Sequence, residues 1–334
     1  MSHFTVATAD KLTGAQPDKD VLATASTAPG NQSKNIGLGA KITKSASHQT
    51  YYTIRFLVDA DRIQDAYRAY AYFRWLDDWL DKESSVDADR QAFVSRQLAI
   101  LEFGYQRPRF DDMPLHLTAE ERMLLELVDS DQEPDSGLQS YIRHMMAVMI
   151  FDANRRGRLV SESELAKYSS DLAIAVTEAL HYFIGHGTHL QSTESRYLAA
   201  TAAHITHMLR DTYEDTAAAY YNVPAERLTA SHIQPSDIYS EAYRLWVKDR
   251  VALARAYFKA GREYLRRIEN FRCRLAGYAY IARFEHVLDT IERDEYRLRV
   301  DYHDGYKLKT ALRIGWSTIR YQFRNVPKKE PSRS

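Results

Sequence analysis

The sequence predicts an all-α protein on three observations. Proline is absent from 47 to 107, from 135 to 223 and from 236 to 326, leaving three stretches long enough for extended helices. Within them apolar residues recur at helical rather than strand spacing. Nowhere does apolar–polar alternation last long enough to build a sheet, and no internal repeat of roughly 20 to 50 residues is visible.

About eight to ten helices are expected. The clearest cover 62–83, 137–156, 161–184, 194–219, 238–268 and 272–297. Turn-forming residues interrupt them at Arg107-Pro108, Asp111 to Pro114, Asp131 to Gly137, Gly185 to Gly187 and Val223 to Ser236. Residues 1–46, rich in Ala, Thr, Ser, Gly, Lys and Asp, bury too little apolar surface to offset chain entropy and are expected to form a disordered polar tail. Residues 323–334 form a second such tail, which leaves 47–322 as one large helical domain.

Composition narrows the function. Lys plus Arg and Asp plus Glu balance at 45 each, so no global field favours nucleic acid. A single cysteine, Cys273, excludes an internal disulfide and a cysteine-built metal site, and fits a cytoplasmic protein. No apolar run approaches the length that spans a bilayer; the longest is Met145 to Phe151. A peripheral membrane contact remains compatible. Twenty-three tyrosines suit the core and rim of a bundle or the wall of an apolar cavity.

The chemistry concentrates in two places. Arg74-Trp-Leu-Asp77-Asp78-Trp-Leu-Asp81 puts Asp77 and Asp81 on one helix face, with Arg74 one turn earlier, inside an aromatic stripe. Taken alone, this reads equally well as a solvated acidic helix end. The second constellation is His204-Ile-Thr-His207-Met-Leu-Arg210-Asp211-Thr-Tyr-Glu214-Asp215, in which 204, 207, 211 and 215 form one helical stripe flanked by Glu214. Two distant helices thus each present carboxylates at i and i+4 beside an arginine. Such carboxylates suit a hard cation: magnesium, with manganese as the alternative, held by Asp77, Asp78, Asp81, Asp211, Glu214 and Asp215. Metal and arginine together neutralise a diphosphate leaving group. A di-iron bundle would need Glu-x-x-His on two helices, a spacing neither motif has. His181, His186 and His189 match no common zinc pattern and are expected to be structural.

These motifs resemble the paired aspartate-rich motifs of the squalene/phytoene synthase family. Arg74, Asp77 and Asp81 match its Arg followed by Asp-x-x-x-Asp. His207, Arg210, Asp211, Glu214 and Asp215 match its Asn-x-x-Arg-Asp-x-x-Glu-Asp. Ser47-His-Gln-Thr50-Tyr51 occupies the place of its early diphosphate-binding segment. Phe151-Asp152 through Glu164 to Tyr168 resembles the stretch leading to its tyrosine, and Leu288 to Arg293, Tyr296 and Lys307-Leu308 its C-terminal helices.

The resemblance implies the isoprenoid synthase fold with a central cavity. It also implies a magnesium-dependent prenyltransferase that ionises isoprenyl diphosphates, with head-to-head condensation as the default reaction. Asp77, Asp81, Asp211 and Asp215 would serve catalysis through the metal, and Tyr168 would stand near the reacting carbons. Arg74, Arg210, Thr50, Tyr51, His204, His207 and Tyr220 would contact substrate. No Gly-rich dinucleotide fingerprint is present, which leaves the use of NADPH open.

The sequence departs from the family at several places. His207 replaces an Asn, His204 a Gln, and Gln49 a Lys or Arg. Ile174 follows Ala173 where the family has Ala-Gly. Ala219-Tyr220-Tyr221-Asn222-Val223-Pro224 stands for Gly-Arg-x-Tyr-x-Pro. Both acidic clusters survive these changes, so the same residues also suit transfer to an aromatic acceptor or cyclisation of one prenyl chain. The readings from other classes are a non-catalytic helical scaffold and a lipid carrier.

Overall fold

The computed structural model describes residues 31–81, 87–106, 116–185 and 194–302, with backbone alone at 31–36 and 87–88. Expectations at His186, His189, Lys307 and Leu308, and for residues 1–30 and 303–334, lie outside that range. Among the described residues there are twelve α-helices and no strand. None of these helices is long and apolar enough to cross a membrane.

The chain divides into two compact units. The first holds α1 (Asn31–Ala46), α2 (His48–Leu57), α3 (Ile63–Leu80), α4 (Asp87–Tyr105), α5 (Ala119–Ser130), α6 (Gly137–Arg155) and the last two residues, Tyr182 and Phe183, of α7 (Glu162–Phe183). Its axis is α3, which packs on α1, α2, α5 and α6 and buries Ala69, Ala71, Tyr72, Phe73, Leu76 and Leu80. Residues 31–46 therefore depart from the tail that composition predicts. Their polar sequence still supplies a close-packing face: a Cβ on Gly39 would meet the Tyr67 backbone at 3.3 Å, so the glycine lets α1 lie directly on α3.

One group of buried polar side chains in this unit is mutually satisfied. Thr118 and Glu121 form a capping box at the start of α5. The Glu121 carboxylate also accepts from Gln97 at 2.9 Å and from Arg96 at 2.7 and 2.8 Å. Gln97 Oε1 in turn accepts from the Tyr72 hydroxyl at 3.1 Å. Burial works against the Glu121 charge, but Arg96, the Thr118 amide and Gln97 outweigh it and hold the carboxyl below its usual value.

The second unit holds the body of α7 with α8 (Leu198–Arg210), α9 (Thr212–Ala217), α10 (Ala225–Ser231), α11 (Glu241–Arg266) and α12 (Phe271–Arg293). Here α8 packs on both α11 and α12. A Cβ on Gly261 of α11 would lie 2.6 Å from the Ala199 Cβ, so only glycine allows that approach. The single helix expected over 194–219 is instead a 3₁₀ turn at Glu194–Arg196 followed by α8 and α9. The Thr212 hydroxyl donates to the Met208 and Leu209 carbonyls at 2.9 and 3.1 Å and competes with the helical ladder where the chain bends.

Candidate active site

The first acidic cluster sits on α3. Asp77 is buried at 5% exposure, whereas Asp78 is exposed and forms an ion pair with Arg74. Arg74 Nη1 also stands 3.6 Å from Asp77 Oδ2. Asp77 Oδ2 and Asp81 Oδ1 are buried and accept no hydrogen bond. Burial, then Asp81, drives the Asp77 carboxyl well above its usual pKa, with Arg74 too weak to restore it. Asp81 is pushed up to about 7 by burial and by the charge of Asp152.

Asp152 enters this cluster from α6, a role its sequence context did not assign. It accepts from Arg155 Nε at 2.7 Å, and Arg155 is itself 1% exposed. Tyr70 is a second addition. Burial raises its phenol pKa, with the Arg74 guanidinium countering part of that rise. Thr50 is buried on α2, where its amide donates to the N-cap Ser47 Oγ at 3.1 Å. Tyr51 stacks on Tyr67 at 5.5 Å. The residues carried from the early segment and the Asp77 motif thus belong to one unit.

The second cluster has the same spacing and another environment. Arg210 clasps both oxygens of Asp211, at 2.6 and 2.7 Å, and His207 Nε2 lies 3.3 Å from Asp211 Oδ2. Burial opposes the Asp211 charge, but His207 and Arg210 together overcome it and hold the carboxyl below its usual value. The ladder crosses the bend, since the Asp211 amide donates to His207 and the Asp215 amide to Asp211, so the stripe survives. Glu214 is exposed on the flank.

Asp215 is fully buried and accepts from Asn222 Nδ2 at 2.6 Å. A Schellman turn brings Asn222 there. The Tyr220 amide donates to Asp215 O at 2.8 Å and the Ala219 amide to Thr216 O at 3.1 Å, with Ala219 in the left-handed region at φ 64°. Tyr220 is buried, with its backbone in this turn. On α7, Tyr168 is 1% exposed and packs edge-on to His204 at 4.7 Å, while His204 Nδ1 and Ser169 Oγ share a hydrogen bond of 3.1 Å. His181 takes the structural place expected of it, between Tyr264 at 3.1 Å and Cys273 at 3.9 Å.

The squalene/phytoene synthase family model matches residues 43–313, which contain both clusters, Tyr168 and the early segment. The chain belongs to the squalene/phytoene synthase family. Members of that family are prenyltransferases, so this squalene/phytoene synthase relative is an enzyme that transfers isoprenyl groups. Squalene synthase HpnC from Alicyclobacillus acidocaldarius shares the fold at TM-score 0.63 and 18% identity, over 81% of this chain and 98% of that one. A dehydrosqualene synthase solved with a ligand matches at TM-score 0.67 and 15% identity, over 88% and 98%. No curated protein matches the chain by sequence.

Among the described residues, no three of His, Cys, Asp and Glu already stand close enough together to hold an ion. The donor set nonetheless fits a hard divalent cation. Asp77 and Asp81 offer buried carboxylate oxygens that no hydrogen bond satisfies; burial first, then the charge of Asp81 on Asp77 and of Asp152 on Asp81, raises their pKa values, and a bound cation would relieve that cost. In the second cluster Arg210 and His207 already compensate Asp211, and Asn222 donates to one oxygen of Asp215.

Proposed function

We propose that this squalene/phytoene synthase relative is a magnesium-dependent prenyltransferase that ionises isoprenyl diphosphates, with head-to-head condensation as its default reaction. The observation that carries this is the Asp77–Asp81 pair, the first buried and the second half-buried, each with a buried oxygen that accepts no hydrogen bond, while Glu121, in the same unit, is fully compensated. Asp77, Asp81, Asp211 and Asp215 are the carboxylates that would hold magnesium, with Asp78 and Glu214 as exposed flanking acids. When bound, magnesium supplies Lewis-acid neutralisation of the diphosphate leaving group. Arg74 and Arg210 would each add fixed positive charge for phosphate at their own cluster, and Thr50 and Tyr51 would orient phosphate at the first from α2. Tyr168 and His204 form a buried aromatic contact that would keep water from the reacting carbons.

A second reading, transfer to an aromatic acceptor, is favoured by the imidazoles at 204 and 207. His204, tied to Ser169, can accept an acceptor's proton where the family's Gln cannot. Incubation with magnesium and dimethylallyl, geranyl, farnesyl or geranylgeranyl diphosphate, followed by product extraction and mass spectrometry, separates these readings. A C30 or C40 hydrocarbon establishes head-to-head condensation. Diphosphate release with only cyclised or hydrolysed product leaves ionisation standing and points to another acceptor. No release with magnesium or manganese overturns the proposal in favour of a scaffold or carrier.

A further inference from the structure

From residue 31 to 58 the chain carries Lys34, Lys41, Lys44 and Arg55 and not one Asp or Glu, in a protein whose charges otherwise balance. α2 in this stretch is two-faced. Thr50 and Ile54 are buried, while His48, Gln49, Tyr52, Arg55 and Phe56 form the exposed face. Tyr52 and Phe56 are 50% and 67% exposed, and their rings stack at 6.1 Å with only 10° between planes. Tyr51 meets Tyr52 edge-on at 5.4 Å, and Lys44 Nζ lies 5.6 Å above the Tyr51 ring. A continuous strip thus runs from a cation on α1 across three aromatic rings on α2, with Arg55 beside the outer pair and exposed Lys41 one turn before Lys44.

We propose that this strip docks the protein on a bilayer surface containing anionic lipid. Aromatic rings stacked outward fit the headgroup boundary, where one edge is wet and the body apolar. Lys41, Lys44 and Arg55 reach acidic headgroups with their stems lying along the rings. A second copy of the chain is the weaker occupant, because a two-fold pairing would set the same acid-free face against itself. The benefit to the enzyme, collecting a prenyl donor from lipid, rests on the function proposed above; the docking itself does not.

Cosedimentation of the full chain with vesicles, without any prenyl donor, tests this. The protein pellets with phosphatidylcholine–phosphatidylserine vesicles, not with phosphatidylcholine alone, and is released at high salt. Lys41→Gln/Lys44→Gln/Arg55→Gln lowers the partition coefficient about 100-fold, at about five-fold per cation. Tyr52→Ser/Phe56→Ser lowers it about ten-fold or more, while diphosphate release from a short, soluble donor is unchanged. Equal binding by wild type and both variants, or no vesicle binding at all, overturns the proposal. So does self-association of the wild type that Phe56→Ser abolishes. Loss of diphosphate release with vesicle binding intact would instead strike the enzymatic reading alone.

Discussion

Two acidic motifs with the same i, i+4 spacing have opposite electrostatics. Around Asp77 and Asp81, burial and the neighbouring Asp152 raise the carboxyl pKa values, and Arg74 divides its charge between Asp77 and the exposed Asp78. Around Asp211, one arginine makes two bonds and an imidazole is a second partner, so the carboxyl is ionised well into acid. Asp81 is thus part protonated near neutrality, whereas Asp211 is charged from the outset. Equal sequence spacing therefore does not imply equal readiness to bind metal; the residues arriving from other helices decide it.

The largest expected effect tests whether both clusters serve the reaction. Asp77→Ala and Asp211→Ala each lower diphosphate release by about 10³-fold or more, measured with magnesium in excess. Normal turnover by either variant would assign all the chemistry to the other cluster.

Stability separates the clusters next. A carboxyl whose folded pKa is raised supports stability below its unfolded value, and that support is lost as pH rises through the folded value. Asp81→Asn therefore stabilises the metal-free protein at pH 8 by about 2–4 kcal/mol in denaturant unfolding and has little effect near pH 4. Asp211→Asn does the reverse. It costs about 2–3 kcal/mol at neutral pH, because Arg210 and His207 lose their buried partner, and the deficit shrinks only as acid protonates Asp211 in the wild type. The same sign for both variants would break the comparison.

His181 provides a control away from the carboxylates. Burial, then Arg196, lowers its pKa to about 4, so the unfolded chain binds the extra proton between about pH 6.5 and 4 and stability falls as pH drops through that window. His181→Gln flattens that part of the unfolding profile by about 2–3 kcal/mol. The smallest effect concerns the turn that delivers Asn222. Ala219→Gly relieves the left-handed backbone at that position and raises stability by about 0.5–1 kcal/mol, without moving the pH dependence.

The helical class and most long helices were legible because proline-free runs with helical periodicity leave little alternative. α6 and α11 fall within a few residues of the expected bounds. The bend at Asp211 was not legible, because Thr212 competing for backbone carbonyls leaves no trace in apolar periodicity. α1 was missed since its packing face is made of Gly39 and small polar residues, which composition scores as tail. Asp77, Asp81, Asp211 and Asp215 could be picked out by spacing. Asp152, Ser169 and Asn222 join their clusters from other helices or loops, so only tertiary packing reveals them, whereas Tyr70 stands on α3 itself, two turns before Asp77. Asp152 and Asn222 stand inside segments already matched to the family, and a charge or amide there was the one available signal.

The most direct measurement is calorimetric titration of magnesium and inorganic diphosphate into the protein at pH 7, in buffers of different ionisation enthalpy. The account predicts coupled binding that releases protons from the Asp77–Asp81 pair, with the release reduced in Asp81→Asn and retained in Asp215→Asn. Binding without proton release, or release in Asp81→Asn equal to that of the wild type, would contradict the claim that the first cluster is part protonated before its cation binds.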